Sequence, residues 1–330
     1  MPAVFGDIGV DDEFPHALGA ERNFNESMYY NFFDARQGYG GFLRIGNRAN
    51  EGHAEVTVCV YLPTGEVLFN YLRPEIAGND AFDAGGMRFS VGEPFATHDT
   101  FYDGQAVRLA EPTDMLDPRR AFTHTPHVPL AMELHHTAVG PAYGSRGSAE
   151  QMPADPERQF ARGHYEQHMR VTGTLTVGAS AVPIDALGLR DHSWGARSWQ
   201  ALAYYRWLNC TFDPGFGIMV SEICPREAPA VRTGVVVRGD TLERIVAVAL
   251  STEFGAGTRE HRRLTARLGL EGGDTMTLEG DVTGYIPLRN RRGGQLTHIG
   301  EGMTRYRCDG RVGVGISEYL DQVEQAEQVE

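Results

Sequence analysis

The chain has 330 residues, enough for two domains that each bury a core without disulfides. Its 40 Gly and 17 Pro within an ordinary globular composition exclude collagen-like and disordered classes. The 44 acidic residues outnumber the 30 basic ones, and the net charge of -14 repels nucleic-acid phosphates. We therefore expect no nucleic-acid partner.

The sequence contains no lysine, so every basic residue is arginine. This removes Schiff-base, P-loop and Ser-Lys chemistry. No G-x-S-x-G elbow is present, and no G-x-G-x-x-G lies between a strand and a helix. We expect an activity without a cofactor.

Features that would direct the chain to a membrane or an oxidising compartment are missing from the sequence. The four cysteines are too far apart for a C-x-x-C site, and the first residues lack the basic start and apolar run of a signal peptide. No apolar run approaches the roughly 20 residues that span a bilayer. These features predict a cytoplasmic protein without an integral membrane span.

Alternation of apolar and polar residues is the strongest pattern along the chain. It covers residues 53–62, and the Pro-Thr-Gly turn at 63–65 leads into 66–73 as a hairpin. The same alternation returns at 128–134 and 165–177. This period of two predicts an all-β protein of antiparallel sheets with one face in water.

Composition changes between the two groups of strands, where GPAYGSRGSAEQMPADPERQ is small, polar and rich in turn formers. We therefore place a linker at 141–159. It separates a β domain at 24–140, preceded by a segment at 1–23, from a second β domain at 160–330. Helical signals are few, the main one being the acidic tail at 317–330.

Two histidine motifs are candidates for chemistry. HYEQH, from His164 to His168, differs from H-E-x-x-H in the position of its glutamate, and on a strand its histidines lie about 13 Å apart. We interpret it as a polar strand face and expect no metal site. His136 continues the apolar row at 128–134, so it faces either a cavity or a satisfied core.

The most informative segment is GLRDHSWGARSW at 188–199, followed by YYRW at 204–207. All three tryptophans fall within this stretch, near a carboxylate, a histidine and three arginines. Aromatic faces stabilise a cation, and a carboxyl against an apolar wall gains a raised pKa and can transfer a proton. The alternative is structural: Arg190 pairs with Asp191 and the tryptophans fill the floor of a barrel.

GLRDHSWG, together with HYEQHMRVTGTLTVG, ESMYYNFFD, GGFLRIGNRANEGHAEVTVCVYLPTGEVLF and GRVGVGISEYLDQ, resembles a bacterial family allied to carotenoid 1,2-hydratase and AttH-like proteins. The resemblance spans most of the chain, but only the D-H-x-W-G core is shared with the wider group. It implies two lipocalin-like β-barrel domains packed together. Relatives include hydratases that protonate an isoprenoid double bond, kievitone hydratase-like proteins and cyclases that fold a polyene.

The resemblance also implies roles for the residues of the D-H-x-W-G core. Asp191 would be the proton donor or an orienting carboxylate, His192 its partner, and Trp194 an aromatic wall near the developing cation. The other expected ligand-binding residues are Trp199, Tyr205, Trp207, Tyr30 and His136.

These features lead to one main functional hypothesis and two alternatives. The main one is a cofactor-independent hydratase, dehydratase or isomerase that acts on a C=C bond or tertiary alcohol of an apolar terpenoid or steroid. One alternative is a lipocalin-type carrier of lipids or isoprenoids. The other is a cyclase that acts by folding its substrate. A small apolar molecule is the expected partner, and we also consider a homodimer.

Overall fold

The computed structural model describes residues 2–148, 150 and 152–323. Nearly all of its regular structure is antiparallel β-strand, arranged in two sheets. This confirms the all-β prediction, because the alternating segments of the sequence become long strands with a buried face.

The first sheet has 11 strands. They are β1 (Val4–Gly6), β2 (Phe24–Asp34), β3 (Tyr39–Arg48), β4 (His53–Tyr61), β5 (Val67–Leu72), β6 (Phe82–Ala84), β7 (Met87–Val91), β8 (Thr97–Leu109), β9 (His127–Ser145), β10 (Gly163–Val177) and β11 (Ser180–Ala196). Strand β8 pairs with both β5 and β9, and β11 pairs with β2. Strands β2 to β5 and β8 to β11 therefore follow one another around a closed ring.

The second sheet is a closed antiparallel barrel of eight strands. They are β12 (Leu202–Asp213), β13 (Phe216–Pro225), β14 (Val231–Arg238), β15 (Thr241–Phe254), β16 (His261–Leu270), β17 (Thr275–Arg292), β18 (Gln295–Cys308) and β19 (Arg311–Val323). A short helix, α1 (Pro118–His124), lies between β8 and β9. Among the described residues no helix is both long and apolar enough to cross a bilayer.

The acidic tail differs from its predicted helical structure. Residues 317–323 continue β19, where they pair with β18 on one side and β12 on the other. The helix prediction is wrong here because closing the barrel overrides the local preference of a polar segment. The rest of the predicted helix, residues 324–330, lies outside the described residues.

The chain passes from the first sheet to the second later than the predicted linker. The first residues of the predicted linker, 141–145, are the end of β9, and β9 pairs with β10, which follows the linker. Strand β10 pairs in turn with β11, which closes on β2. The chain enters the second barrel only between Ala196 and Leu202, so 160–196 belongs to the same sheet as 24–140.

Strand β2 shows how the two sheets pack. All of its residues are buried, although its side chains alternate between two faces. Met28 and Tyr30 belong to the apolar core inside the first ring. Tyr29 belongs to another cluster that includes Ile286 and Ile316 of the second barrel. The outer face of β2, predicted to be in water, is therefore covered by the second barrel, and each such side chain contributes about 1.5–3 kcal/mol by its burial.

Candidate functional site

A cavity of about 640 Å³ lies between the outer face of the first sheet and the outer face of the second barrel. Its aromatic lining includes Tyr29, Phe42, Phe160, Trp199, Tyr205 and Trp207. Both its size and its mainly apolar wall are typical of sites for small organic ligands.

A cluster of three titratable residues lies on one wall of this cavity. Glu166 of β10 is directly opposite Asp191 of β11, and His164 lies two residues before Glu166 on the same face. His164 Nε2 lies 2.7 Å from Asp191 Oδ2 and 3.5 Å from Glu166 Oε1. The strand pairing thus brings two residues of HYEQH to the aspartate of the D-H-x-W-G core.

Glu166 is buried and accepts hydrogen bonds from two donors. Trp207 Nε1–H donates to its Oε1 at 2.9 Å, and the Tyr143 hydroxyl donates to its Oε2 at 3.1 Å. Burial raises the pKa of Glu166 to about 7, against the opposing effect of the His164 charge. A carboxyl with this pKa can both give and take a proton near neutral pH.

Asp191 and His164 form an ion pair. Burial alone would raise the pKa of Asp191, but the charge and hydrogen bond of His164 outweigh it and hold this pKa below its ordinary value. Burial opposes the charge on His164, yet attraction by Asp191 and Glu166 raises its pKa. The expected rise in the pKa of Asp191 is therefore wrong. Asp191 suits the orienting role, and Glu166 and His164 are the groups in position to exchange protons.

His192 lies on the opposite face of β11 from Asp191. Its side chain is fully buried inside the first ring, where Nε2 lies 2.9 Å from Oε1 of Glu26. The expected pairing of His192 with Asp191 does not form, because successive residues of a strand point in opposite directions. Arg190 shares the inner face and pairs with Glu13 at 2.6 Å, so the alternative pairing of Arg190 with Asp191 does not form either.

Trp194 also lies on the inner face, where its ring stacks on His16 with centroids 4.1 Å apart. The next residue, Gly195, has φ of +113°, a conformation that favours glycine. A Cβ at this position would also lie 2.9 Å from the backbone nitrogen of Arg162. The glycine of the D-H-x-W-G core therefore has a backbone role.

Tyr30 and His136 lie in the core of the first ring. The Tyr30 hydroxyl lies 3.0 Å from Nδ1 of His98, and His136 Nε2 lies 2.9 Å from the Thr100 hydroxyl. Both side chains are buried and neither lines the cavity. Of the sequence-predicted residues, the structure places Asp191, Trp199, Tyr205 and Trp207 together at the cavity wall.

Two further carboxyl groups on the opposite wall have no counterpart in the sequence prediction. Glu301 of β18 is directly opposite Glu318 of β19, and both line the cavity. Burial raises the pKa of each to about 8, and the negative charge of Asp191 adds to the effect on Glu318. Oε2 of Glu301 has no hydrogen-bond partner among the described residues. The only sequence signal was the placement of both glutamates within strand segments.

The donor atoms of His164, Glu166 and Asp191 all lie within 4.8 Å of one another, so these residues could also hold a metal ion. Two of the three are already engaged by hydrogen bonds from Tyr143, Trp207 and His164. The arrangement as it stands is a proton-sharing cluster on the wall of an apolar cavity.

Comparison with known proteins gives one family and several solved structures with a similar fold. A family model described as a domain of unknown function (DUF7064) matches residues 9–323. No curated protein sequence matches the chain. A solved structure assigned as AttH from Nitrosomonas europaea is 14% identical, with a TM-score of 0.63 over 92% of this chain and 95% of that one.

Two other solved structures share the fold. CghA with Sch210972 is 12% identical, with a TM-score of 0.58 over 97% of this chain and 94% of that one. Kievitone hydratase from Nectria haematococca is 10% identical, with a TM-score of 0.51 over 99% of both chains. At these identities the likeness establishes the lipocalin-type fold.

Proposed function

This chain belongs to the DUF7064 family, and we propose that it is a cofactor-independent hydratase or dehydratase that acts on an apolar substrate in the cavity between its two sheets. The observation that carries the proposal is the cluster of Asp191, His164 and Glu166, which places exchangeable protons against an apolar, aromatic wall. The shared fold of kievitone hydratase is consistent with this chemistry. The substrate class is a terpenoid or a similar molecule with an alkene or a tertiary alcohol.

In the hydration direction, His164 or Glu166 gives a proton to one alkene carbon, which leaves a tertiary cation on the other. The faces of Trp199 and Trp207 and the negative charge of Asp191 stabilise this cation. Water then bonds to the cation and passes its extra proton back to the cluster. Dehydration is the reverse: the hydroxyl leaves as water after protonation, and a carboxylate removes a proton from the neighbouring carbon.

The ion pair between Asp191 and His164 keeps the imidazole charged and oriented. Glu166 cycles between its acid and its carboxylate because its pKa is about 7.

Oxygen exchange tests the proposal with simple tertiary alcohols in place of the natural substrate. Linalool and geranyllinalool, tertiary alcohols of 10 and 20 carbons, are incubated with the protein in ¹⁸O-labelled water. Ionisation and recapture by water would incorporate ¹⁸O, which mass spectrometry detects. Binding is followed separately through the fluorescence of Trp199 and Trp207, both at the cavity.

We expect binding and exchange, and exchange that falls strongly in Asp191→Asn. Binding without exchange would favour the carrier, and exchange that is unchanged in Asp191→Asn would remove the assigned cluster from the mechanism. A cavity that binds neither alcohol contradicts the proposed substrate class. The cyclase alternative predicts turnover of a polyene that is insensitive to Asp191→Asn.

A further inference from the structure

A second cluster, separate from the cavity, lies at one end of the first ring. His16 Nδ1 lies 2.6 Å from Oε1 of Glu26, and His192 Nε2 lies 2.9 Å from the same oxygen. The three residues come from the segment before β2, from β2 and from β11. Their donor atoms all lie within 4.8 Å of one another. We propose that His16, Glu26 and His192 bind one divalent transition-metal ion.

The groups around these three residues hold them in the orientation that metal ligands need. His16 Nε2 lies 3.1 Å from Oδ1 of Asp12, and His192 Nδ1 lies 3.4 Å from the Tyr165 hydroxyl. Metal-bound histidines characteristically donate their other ring N–H to such a carboxylate or oxygen. The second carboxylate oxygen of Glu26 accepts from the backbone N–H of His16 and from the amide of Asn79.

The donors and acceptors around the two rings are compatible with a cation between them. Asp12 is an acceptor, so His16 carries a proton on Nε2. The Tyr165 hydroxyl donates to Glu13 and accepts from Arg190, so its remaining interaction with His192 Nδ1 is also as an acceptor. In the neutral tautomers the two remaining ring nitrogens then direct lone pairs at one oxygen of Glu26. A cation between them satisfies both nitrogens and the carboxylate.

Two neutral imidazoles and one carboxylate form the donor set of many zinc and non-haem iron sites. Calcium and magnesium prefer oxygen ligands, so the donor set favours a transition ion. His16 is the accessible member, with 21% of its side chain exposed, and it lines a surface depression together with Asp12 and Trp194. Glu26 and His192 are fully buried.

The site would join the segment before β2 to two strands of the ring. It escapes sequence analysis because its ligands are 10 and 166 residues apart and form no motif. The absence of a metal motif in the sequence therefore did not exclude a site assembled by the fold.

Metal binding is tested on the full chain after removal of metals with a chelator. We expect one equivalent of Co²⁺ to bind with visible d–d absorption, Zn²⁺ to displace it, and Zn²⁺ to raise the melting temperature. His16→Ala should abolish stoichiometric binding and the zinc-dependent rise. Because His16 is partly exposed, this variant should fold, which circular dichroism checks.

Two further variants separate the possible outcomes. Asp12→Asn, which changes the acceptor of His16 Nε2 and also removes an ion pair with Arg146, should weaken binding by about 10–100-fold, and circular dichroism checks that this variant folds. His164→Ala, which removes the histidine of the cavity cluster, should leave binding unchanged. The proposal is overturned if the wild type binds no stoichiometric metal, or if His164→Ala abolishes binding and His16→Ala does not.

Discussion

The outer and inner faces of β11 carry consecutive residues in different environments. On the outer face, Asp191 pairs with His164 and lines a cavity of about 640 Å³. On the inner face, all three guanidinium nitrogens of Arg190 donate to protein groups, namely Glu13, Tyr165 and Gln167. Asp191 thus faces the cavity, whereas Arg190, the residue before it in the strand, belongs to a buried network in which each of its guanidinium nitrogens donates a hydrogen bond.

The two faces differ in whether their carboxyl groups are already paired or can still exchange a proton. The attraction of Arg190 and His98 overcomes burial and holds the pKa of Glu13 well below its ordinary value, so the carboxylate stays charged and paired. In the cavity, the effect of burial exceeds the attraction of nearby positive charges and raises the pKa values of three carboxyl groups to about neutrality or above. These are Glu166, Glu301 and Glu318. Saturated networks stabilise a fold, whereas groups with exchangeable protons beside open space can act on a ligand.

The largest expected effect is a loss of catalytic rate when Asp191, on the outer face, is replaced. Asp191→Asn should lower the rate of ¹⁸O exchange by about 10²–10⁴-fold, since the neutral amide cannot keep His164 charged. The urea midpoint should change little. Asp185→Asn, at an exposed position of the same strand, is the matched control. Equal rates in the two variants would show that the outer face has no catalytic role.

On the inner face, Arg190→Met should reduce the free energy of unfolding by about 3–5 kcal/mol, because it removes the arginine that compensates the buried charge of Glu13. Urea denaturation at pH 7 measures this loss. Arg170→Met breaks an exposed pair with Asp185 and should cost about 0–1 kcal/mol. Similar losses in the two variants would mean that the inner network is no more stabilising than a surface pair.

The cavity carboxyls should make stability fall as pH rises. The pKa of Glu301 is raised from 4.5 to about 8, so the native state binds more protons between these pH values, and its stability decreases across that window. Glu301→Gln should therefore be more stable than wild type at pH 8, by on the order of 2 kcal/mol, and closer to it at pH 5. Urea denaturation at both pH values checks this, with exposed Glu279→Gln as control. Parallel pH profiles for wild type and Glu301→Gln would contradict the prediction.

The smallest expected effect is on ligand affinity, and it is tested by comparing substitutions of two tryptophans. Trp207→Leu should weaken binding of geranyllinalool by about 0.5–2 kcal/mol, a factor of about 2–30 in Kd, because the neutral ligand loses part of its apolar contact with the indole ring. Trp194→Leu, on the inner face, should leave the affinity of the folded protein unchanged. Equilibrium dialysis measures both. If Trp194→Leu has the larger effect, the ligand binds inside the first ring instead.

The local sequence pattern was sufficient to predict the fold class and some of the residues that line the cavity. Alternation over short segments reports which residues share a face, and that property is local. The stretch at 194–207 also brings Trp199, Tyr205 and Trp207 to the cavity because they lie close together in the chain. Trp194 does not follow them, since it lies on the inner face of β11.

The membership of the proton-sharing cluster required the tertiary structure. The sequence identified Asp191, whereas His164 and Glu166 became partners of Asp191 only through the register of β10 against β11. The same holds for Glu301 and Glu318, which meet the cavity only because the second barrel packs on the outer face of β2 to β5.

Residue pattern was enough to establish that this protein is built from antiparallel strands and that Asp191 lies beside an aromatic segment, because period and proximity are properties of neighbouring residues. The separate environments of Asp191 and His192, and the pKa of about 7 at Glu166, arise only in the folded molecule. Charge pairing and burial depend on which surfaces pack together. For Glu166 and Asp191 the hydrogen-bond partners lie 23 to 41 residues away along the chain, and for His192 the partner Glu26 lies 166 residues away.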